Sequence, residues 1–224
     1  MNIFGKYPYI VVEGPIGCGK STLAKLLSNK YGANMFTEKA NRNPFLPKFY
    51  EDMKHYALST QLFFLFQRAE QINELNQQDF FKSGIIADFF LQKDPIFANL
   101  NLDNEELKLY TQIYNHLHPK TPTPDLVIYL QTPVDLLRKR VEKRNIPYEQ
   151  KISTEYLEKI AESYSNYFHN NHQSRVLIIN NENIDLLEDK SALNILIERI
   201  NQINSVREFF NPKLIAFITK FKSF

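Results

Sequence analysis

The stretch Tyr9-Ile10-Val11-Val12-Glu13-Gly14-Pro15-Ile16-Gly17-Cys18-Gly19-Lys20-Ser21-Thr22 decides the reading of this chain. Tyr9 to Val12 is a short β-branched run, the pattern of a buried strand, and it empties into a glycine turn. Beyond the turn, Leu23, Leu26 and Leu27 fall on one side of a helical pattern that runs from Ser21 to Tyr31 and stops near Gly32. Residues Gly14 to Ser21 match G-x-x-x-x-G-K-[ST] in the strand–loop–helix setting that this phosphate-binding motif requires. Gly14 and Gly19 permit backbone angles closed to other side chains. The loop's N–H groups and the helix N-terminus can then converge on phosphate oxygens. The expected nucleotide-binding set is Gly14, Pro15, Ile16, Gly17, Cys18, Gly19, Lys20, Ser21 and Thr22. Lys20 adds a cation near the β- and γ-phosphates, and the Ser21 hydroxyl can ligate Mg²⁺. Cys18 stands at a variable position of the motif, where a small residue that fits is favoured over a redox thiol.

The same alternation continues outward. A second short strand is expected around residues 34–37, a long helix from Tyr50 to Phe80, and a third buried strand at Ile85-Ile86-Ala87. Asp103 reads as the N-cap of a helix reaching Leu117, and Asp125 to Leu130 is the clearest strand. Helices are expected over Val134–Lys143 and from Ser153 onward, a last strand over Val176–Ile179, and a closing helix over Ala192–Phe210. Short buried strands alternating with helices imply a parallel sheet covered on both faces.

Bulk properties set limits. The 224 residues suit one α/β domain spanning 1–224. With 27 basic and 25 acidic side chains the net charge is only +2, so no nucleic-acid partner is expected. Cys18 is the sole cysteine, which excludes an internal disulfide and fits a reducing cytoplasm. The N-terminus carries no signal-peptide pattern, and no apolar run approaches membrane-spanning length. His116 with His118, and His169 with His172, lack cysteine or carboxylate companions at ligand spacing, so no zinc site is expected. The tail, about 206–224, has five phenylalanines beside Lys213, Lys220 and Lys222. Pro212 interrupts it, which favours packing on the body over a membrane-surface helix.

Asn43-Pro44-Phe45-Leu46, Phe49-Tyr50, Gln61 and Arg68 follow the loop. Together with the P-loop they make the chain resemble the deoxynucleoside kinase family, in its bacterial deoxyadenosine/deoxyguanosine kinase branch, up to about Asp185. The resemblance implies a P-loop fold with a five-stranded parallel sheet, a homodimer, ATP as donor, Mg²⁺, and the 5′-hydroxyl of a deoxynucleoside as acceptor, with purines favoured. It assigns Glu38, after the second strand, to the acceptor hydroxyl as base or orienting group, although Lys39 follows where the family usually has proline. Gln61 would pair with the base edge through its carboxamide. Arg68, two helical turns further on, would shape the base end. Tyr50 and Glu149 would touch the sugar 3′-hydroxyl, Asp88 would hold Mg²⁺ or its water, and Phe97 would stack on the base. Either Lys93 or Asp94 would occupy the acidic position at the base end.

Arg140 and Arg144 stand at i and i+4, so both guanidiniums share one helix face and can close over phosphates as a lid, about 138–150. Besides Lys39, the chain departs from the family pattern at three further points. Phe89 replaces an arginine after Asp88, Ile146 replaces a third lid arginine, and Asn145 replaces a common glycine. Two other readings stay open: a nucleoside monophosphate kinase of the thymidylate kinase kind, and a non-catalytic relic that binds nucleosides or a partner. Under any reading that transfers phosphate, Lys20→Ala is expected to lower kcat/KM by about 10²-fold or more, roughly 2.7 kcal/mol of lost charge stabilisation. Steady-state kinetics on the folded variant checks this, and near-normal turnover would exclude the P-loop assignment.

Overall fold

Strand β1 (Tyr9–Glu13) is buried at all five positions, as its apolar run demands, and it lies at the centre of the sheet. The structure, a computed structural model, describes residues 2–77, 83–89, 91–117, 122–170, 174–182 and 190–212. Helix α1 (Lys20–Tyr31) follows the phosphate loop and ends on Gly32 in the left-handed conformation. Strand β2 (Asn34–Phe36) leads to the short helix α2 (Leu46–Phe49) and the long helix α3 (Met53–Gln77). Then come β3 (Ile85–Ala87), α4 (Asp94–Asn101), α5 (Asn104–Leu117), β4 (Leu126–Gln131), α6 (Val134–Arg144), α7 (Thr154–Asn170), β5 (Val176–Asn180), α8 (Lys190–Gln202) and β6 (Arg207–Phe210).

All strand pairs are parallel, in the order β2-β3-β1-β4-β5-β6. The register sets Val11 opposite Ala87 on one side and Val127 on the other. Parallel strands need crossovers, and here helices supply them, so β1, β3, β4 and most of β5 bury nearly every side chain. Chain order reverses on either side of β1. The loops after β1, β2 and β3 therefore open at one carboxyl edge, where ligands collect in such sheets.

Local chemistry explains several helix starts. Asp103 caps α5: its Oδ1 accepts the N–H groups of Glu105 (3.0 Å) and Glu106 (2.9 Å). Glu106 Oε2 in turn accepts the Asp103 N–H at 3.2 Å, completing a capping box. Ser153 Oγ accepts the Tyr156 N–H at 3.1 Å and opens α7.

The sheet has six strands, not the expected five. The closing helix stops at Gln202 instead of Phe210, and the start of the expected tail is strand β6. Turn residues Asn204 and Ser205 break the helix, and both donate backbone N–H groups to Glu208 Oε1, at 2.8 and 3.1 Å. Arg199 forms an ion pair with the same carboxylate. Phe210 then packs beside Ile179 at the sheet edge. The apolar run Phe209-Phe210 looked helical because period alone does not separate a short strand from a helix end. Helix α3 begins at Met53, later than expected, because α2 takes the residues around Pro47. Helix α4 was not anticipated. Phe80, His118, His172 and residues 213–224, with most of the tail, lie outside the described residues.

The edge strand gives a stability test. Phe210 is 3% exposed and Phe209 61%. Phe210→Ala is expected to cost about 3 kcal/mol of unfolding free energy, and Phe209→Ala under about 1 kcal/mol. Urea denaturation of both variants checks the difference, and equal losses would contradict the placement of β6.

Candidate active site

The loop Gly14 to Gly19 is pressed between β4 and α6. At Gly14 (φ +151°) an added Cβ would come within 2.8 Å of Cys18 Sγ and of the Leu130 carbonyl. At Gly17 (φ +84°) it would meet the Leu137 carbonyl of α6 at 2.9 Å. Only glycine allows both the conformation and the close approach. Lys20 Nζ donates to the carbonyls of Gly14 (2.8 Å) and Pro15 (3.2 Å). Burial works against its charge, but Cys18, Glu13, Glu38 and Asp88 outweigh it and hold its pKa above the ordinary lysine value. Cys18 is buried, and burial pushes its thiol pKa up, so the helix N-terminus does not make it reactive. Its carbonyl accepts from Arg140 Nη1 (3.1 Å) and from Asn181 Nδ2 (2.6 Å), beyond β5.

A cavity of about 190 Å³ opens from this loop. Lys20, Ser21, Gln61 and Phe97 are all in its wall. Glu38 stands after β2, and its backbone N–H donates to Asp88 Oδ1, after β3, at 2.7 Å. Its carboxylate accepts from Arg68 Nε at 3.0 Å and also pairs with Arg68 Nη2. Lys93 Nζ lies 3.2 Å from Glu38 Oε1 and 3.3 Å from Oε2. Burial alone would raise the Glu38 pKa, but Arg68, Lys93 and Lys20 hold it well below the usual carboxylate range. A carboxylate kept charged in this way orients a hydroxyl by accepting its hydrogen bond and is a weak base.

Arg68 is committed on two sides, because its Nη1 pairs with Asp94 at the start of α4. Asp94 is therefore the second carboxylate partner of Arg68. Lys93, one residue earlier, turns to Glu38 and Glu13. Burial pushes the Asp94 carboxyl up to about 6, a cost that Arg68 and Lys93 offset only in part. Arg68 also lies over the Phe64 ring at 5.0 Å.

Gln61 and Arg68 both line the cavity from α3, as their spacing predicts. Asn43 braces this wall: its Nδ2 donates to the Thr60 carbonyl at 3.1 Å and its Oδ1 accepts the Phe45 N–H at 3.0 Å. Phe97 meets the Tyr164 ring edge-on at 6.0 Å. Tyr50 stacks on Tyr148 with centroids 6.2 Å apart, and burial pushes its hydroxyl pKa well up, so it stays a neutral donor. Glu149 is ion-paired with Arg144, and both reach the cavity. Arg140 is not in the cavity wall; it sits against the loop through the Cys18 carbonyl. Arg138 is spent on Glu142 (2.7 Å) and the Ile152 carbonyl. Phe89 is packed in the core and sends no polar group to the cavity.

Ser21 and Asp88 lie in the same wall. One hydroxyl and one carboxylate are hard oxygen donors, which fits Mg²⁺ that keeps waters and shares phosphate oxygens. Among the described residues no group of three or more His, Cys, Asp or Glu forms a cage for a metal, so the protein alone offers a partial shell.

Sequence reading missed three contributors. Glu13 read only as a strand end; its Oε2 accepts the Gly14 N–H (2.9 Å) and the Tyr164 hydroxyl (3.2 Å). A carboxylate closing an apolar strand directly before the loop was the available signal. Tyr164 read only as part of a helix, and Asn181 carried no signal, because its contact with Cys18 joins segments 163 residues apart.

A family model described as deoxynucleoside kinase matches residues 10–205. Deoxyguanosine kinase of Bacillus subtilis is 40% identical over 159 residues, covering 70% of this chain and 76% of its own length. Deoxyadenosine kinase of Lactobacillus acidophilus is 30% identical over 217 residues, covering 90% of this chain and 98% of its own length. Among solved structures, the deoxyadenosine kinase of M. mycoides with dCMP and dCDP bound superposes with a TM-score of 0.76 at 27% identity, over 87% of this chain and 99% of that one. The same enzyme with dATP bound gives 0.75 at 26% identity, over 87% of this chain and 100% of that one. With this match spanning the phosphate loop, the Glu38–Arg68 pair and the arginines of α6, the chain belongs to the deoxynucleoside kinase family.

Proposed function

We propose that this protein transfers the γ-phosphoryl group of ATP to the 5′-hydroxyl of a deoxynucleoside, with purine deoxynucleosides preferred. One observation carries the reading: a single cavity joins Lys20 and Ser21 of the phosphate loop to Gln61, Tyr50 and Phe97, with Glu38 also in its wall. Glu38 accepts the hydrogen bond of the acceptor hydroxyl and aims its oxygen. The transition state of such transfers is loose, so the proton leaves late and a weak base suffices. Lys20 leaves its carbonyl partners for phosphate oxygens, which are stronger acceptors. Arg140 and Arg144, on the lid, meet the charge that spreads over those oxygens. Gln61 pairs with the base edge, Phe97 covers its face, and Tyr50 with Glu149 holds the 3′-hydroxyl.

Ser21 and Asp88 would hold Mg²⁺. When bound, the ion neutralises phosphate charge. The family supports a homodimer, and Phe66 and Leu109, 52% and 47% exposed on α3 and α5, are apolar side chains that a second subunit could cover. The lone cysteine and the family's substrates fit work in the cytoplasm. No helix among the described residues is long and apolar enough to cross a membrane.

The experiment is a coupled assay with ATP, each of the four deoxynucleosides and the matching ribonucleosides, on wild type, Arg140→Ala and Arg144→Ala. Purine deoxynucleosides are expected to turn over at least ~10-fold better than their ribose counterparts, as expected for a pocket crowded at the 2′ position. Each arginine variant is expected to lose about 10²-fold in kcat with a smaller change in nucleoside KM. Binding of ATP and a deoxynucleoside without turnover would replace the kinase reading with that of a binding protein. Preference for a nucleoside monophosphate would move the acceptor to a phosphate.

A further inference from the structure

Lys93 is a buried cation to which the proposed function assigns no step. It ends the short 3-10 segment Leu91–Lys93, directly before α4. Its side chain is 3% exposed, yet it lines the cavity. Its ammonium lies 3.2 Å from Glu38 Oε1, 3.3 Å from Glu38 Oε2 and 3.2 Å from Glu13 Oε1. Glu13 Oε1 is buried and has no hydrogen-bond donor among the described residues, so Lys93 is its electrostatic counterpart. Glu13 is in turn fixed to the phosphate loop through the Gly14 N–H.

We propose that Lys93 is a positioning residue for phosphoryl transfer: its ammonium ties the acceptor-side carboxylate Glu38 to the phosphate loop through Glu13. The inference rests on the role given above to Glu38. The ammonium suits the task because it is a compact point charge with three donors on a flexible stem, able to serve two carboxylates from different strands at once. Arg68 cannot replace it, since that guanidinium is already held by Glu38 and Asp94. Phe89 cannot either, since its ring is packed in the core. Phosphoryl transfer depends chiefly on positioning and charge, so a shift of Glu38 relative to the loop reaches kcat before it reaches nucleotide affinity.

The test uses full-length wild type, Lys93→Met, Lys93→Arg and the double variant Lys93→Met/Glu13→Gln, with ATP and deoxyadenosine or deoxyguanosine. Lys93→Met is expected to lose about 10²-fold in kcat with the KM for ATP within about threefold, and Lys93→Arg to keep about a tenth of wild-type kcat or more. The double variant removes the buried charge imbalance at Glu13. It is expected to restore the thermal midpoint lost in Lys93→Met but not the turnover. Turnover of Lys93→Met within about threefold of wild type would overturn the proposal. So would a double variant that regains kcat together with its midpoint, because Lys93 would then only balance the charge of Glu13. Should Lys93→Met fail to fold, the double variant and Lys93→Arg carry the test on kcat, and an inactive Lys93→Arg that melts like wild type would also overturn it. Absence of turnover in wild type would strike the kinase reading itself, and the two failures are thereby separated.

Discussion

Five side chains, four buried and Glu38 part-buried, alternate in sign across the carboxyl edge of the sheet: Glu13, Lys93, Glu38, Arg68 and Asp94. Each charge taken from water costs several kcal/mol, and only close, hydrogen-bonded partners offset this. A core of the same shape made of apolar residues would serve stability as well or better. In the proposed function the chain of pairs belongs to the chemistry of the site. It links the phosphate loop, through Glu13, to the wall of α3, through Arg68, by way of Glu38, the group proposed to face the acceptor. At Asp94 burial outweighs the compensation from Arg68 and Lys93 and raises the carboxyl pKa, and one of its buried oxygens has no donor among the described residues.

The cations around the cavity are held on internal acceptors. Lys20 lies on two loop carbonyls, Arg140 on the Cys18 carbonyl, and Arg144 on Glu149. Neutral carbonyls are weaker partners for a cation than phosphate oxygens, so in the proposed function Lys20 and Arg140 exchange a neutral acceptor for an anionic one when nucleotide enters. Arg144 is different, because its partner is itself a carboxylate. Glu149 also serves the sugar in the proposed function, which connects occupancy of the nucleoside end to the guanidinium at the end of α6.

The departures from the family pattern have distinct consequences. Phe89 became core, packed among apolar side chains behind the site. Asn145 takes the left-handed conformation (φ +53°) at the end of α6, a task glycine performs elsewhere and asparagine tolerates. Ile146 begins the bend into the 3-10 segment Pro147–Lys151, which brings Tyr148 onto Tyr50 and Glu149 onto Arg144.

Local sequence determined what depends on neighbours in the chain. The loop Gly14–Ser21, the capping box at Asp103, the central strands and the shared face of Gln61 and Arg68 all follow from short-range sterics and helical period, and all were legible. Pairings that join distant segments were decided only by the tertiary structure. Glu13 with Tyr164, Lys93 with Glu38, and Asn181 with Cys18 lie 151, 55 and 163 residues apart. The sixth strand belongs to the same class, since Arg207–Phe210 is extended because β5 offers an unpaired edge, a condition absent from its own residues. Lys93 and Asp94 belong to the same class: the turn into α4 directs one residue toward Glu13 and Glu38 and the other toward Arg68, and adjacent positions on a chain carry no record of which way each will face until the elements around them are packed.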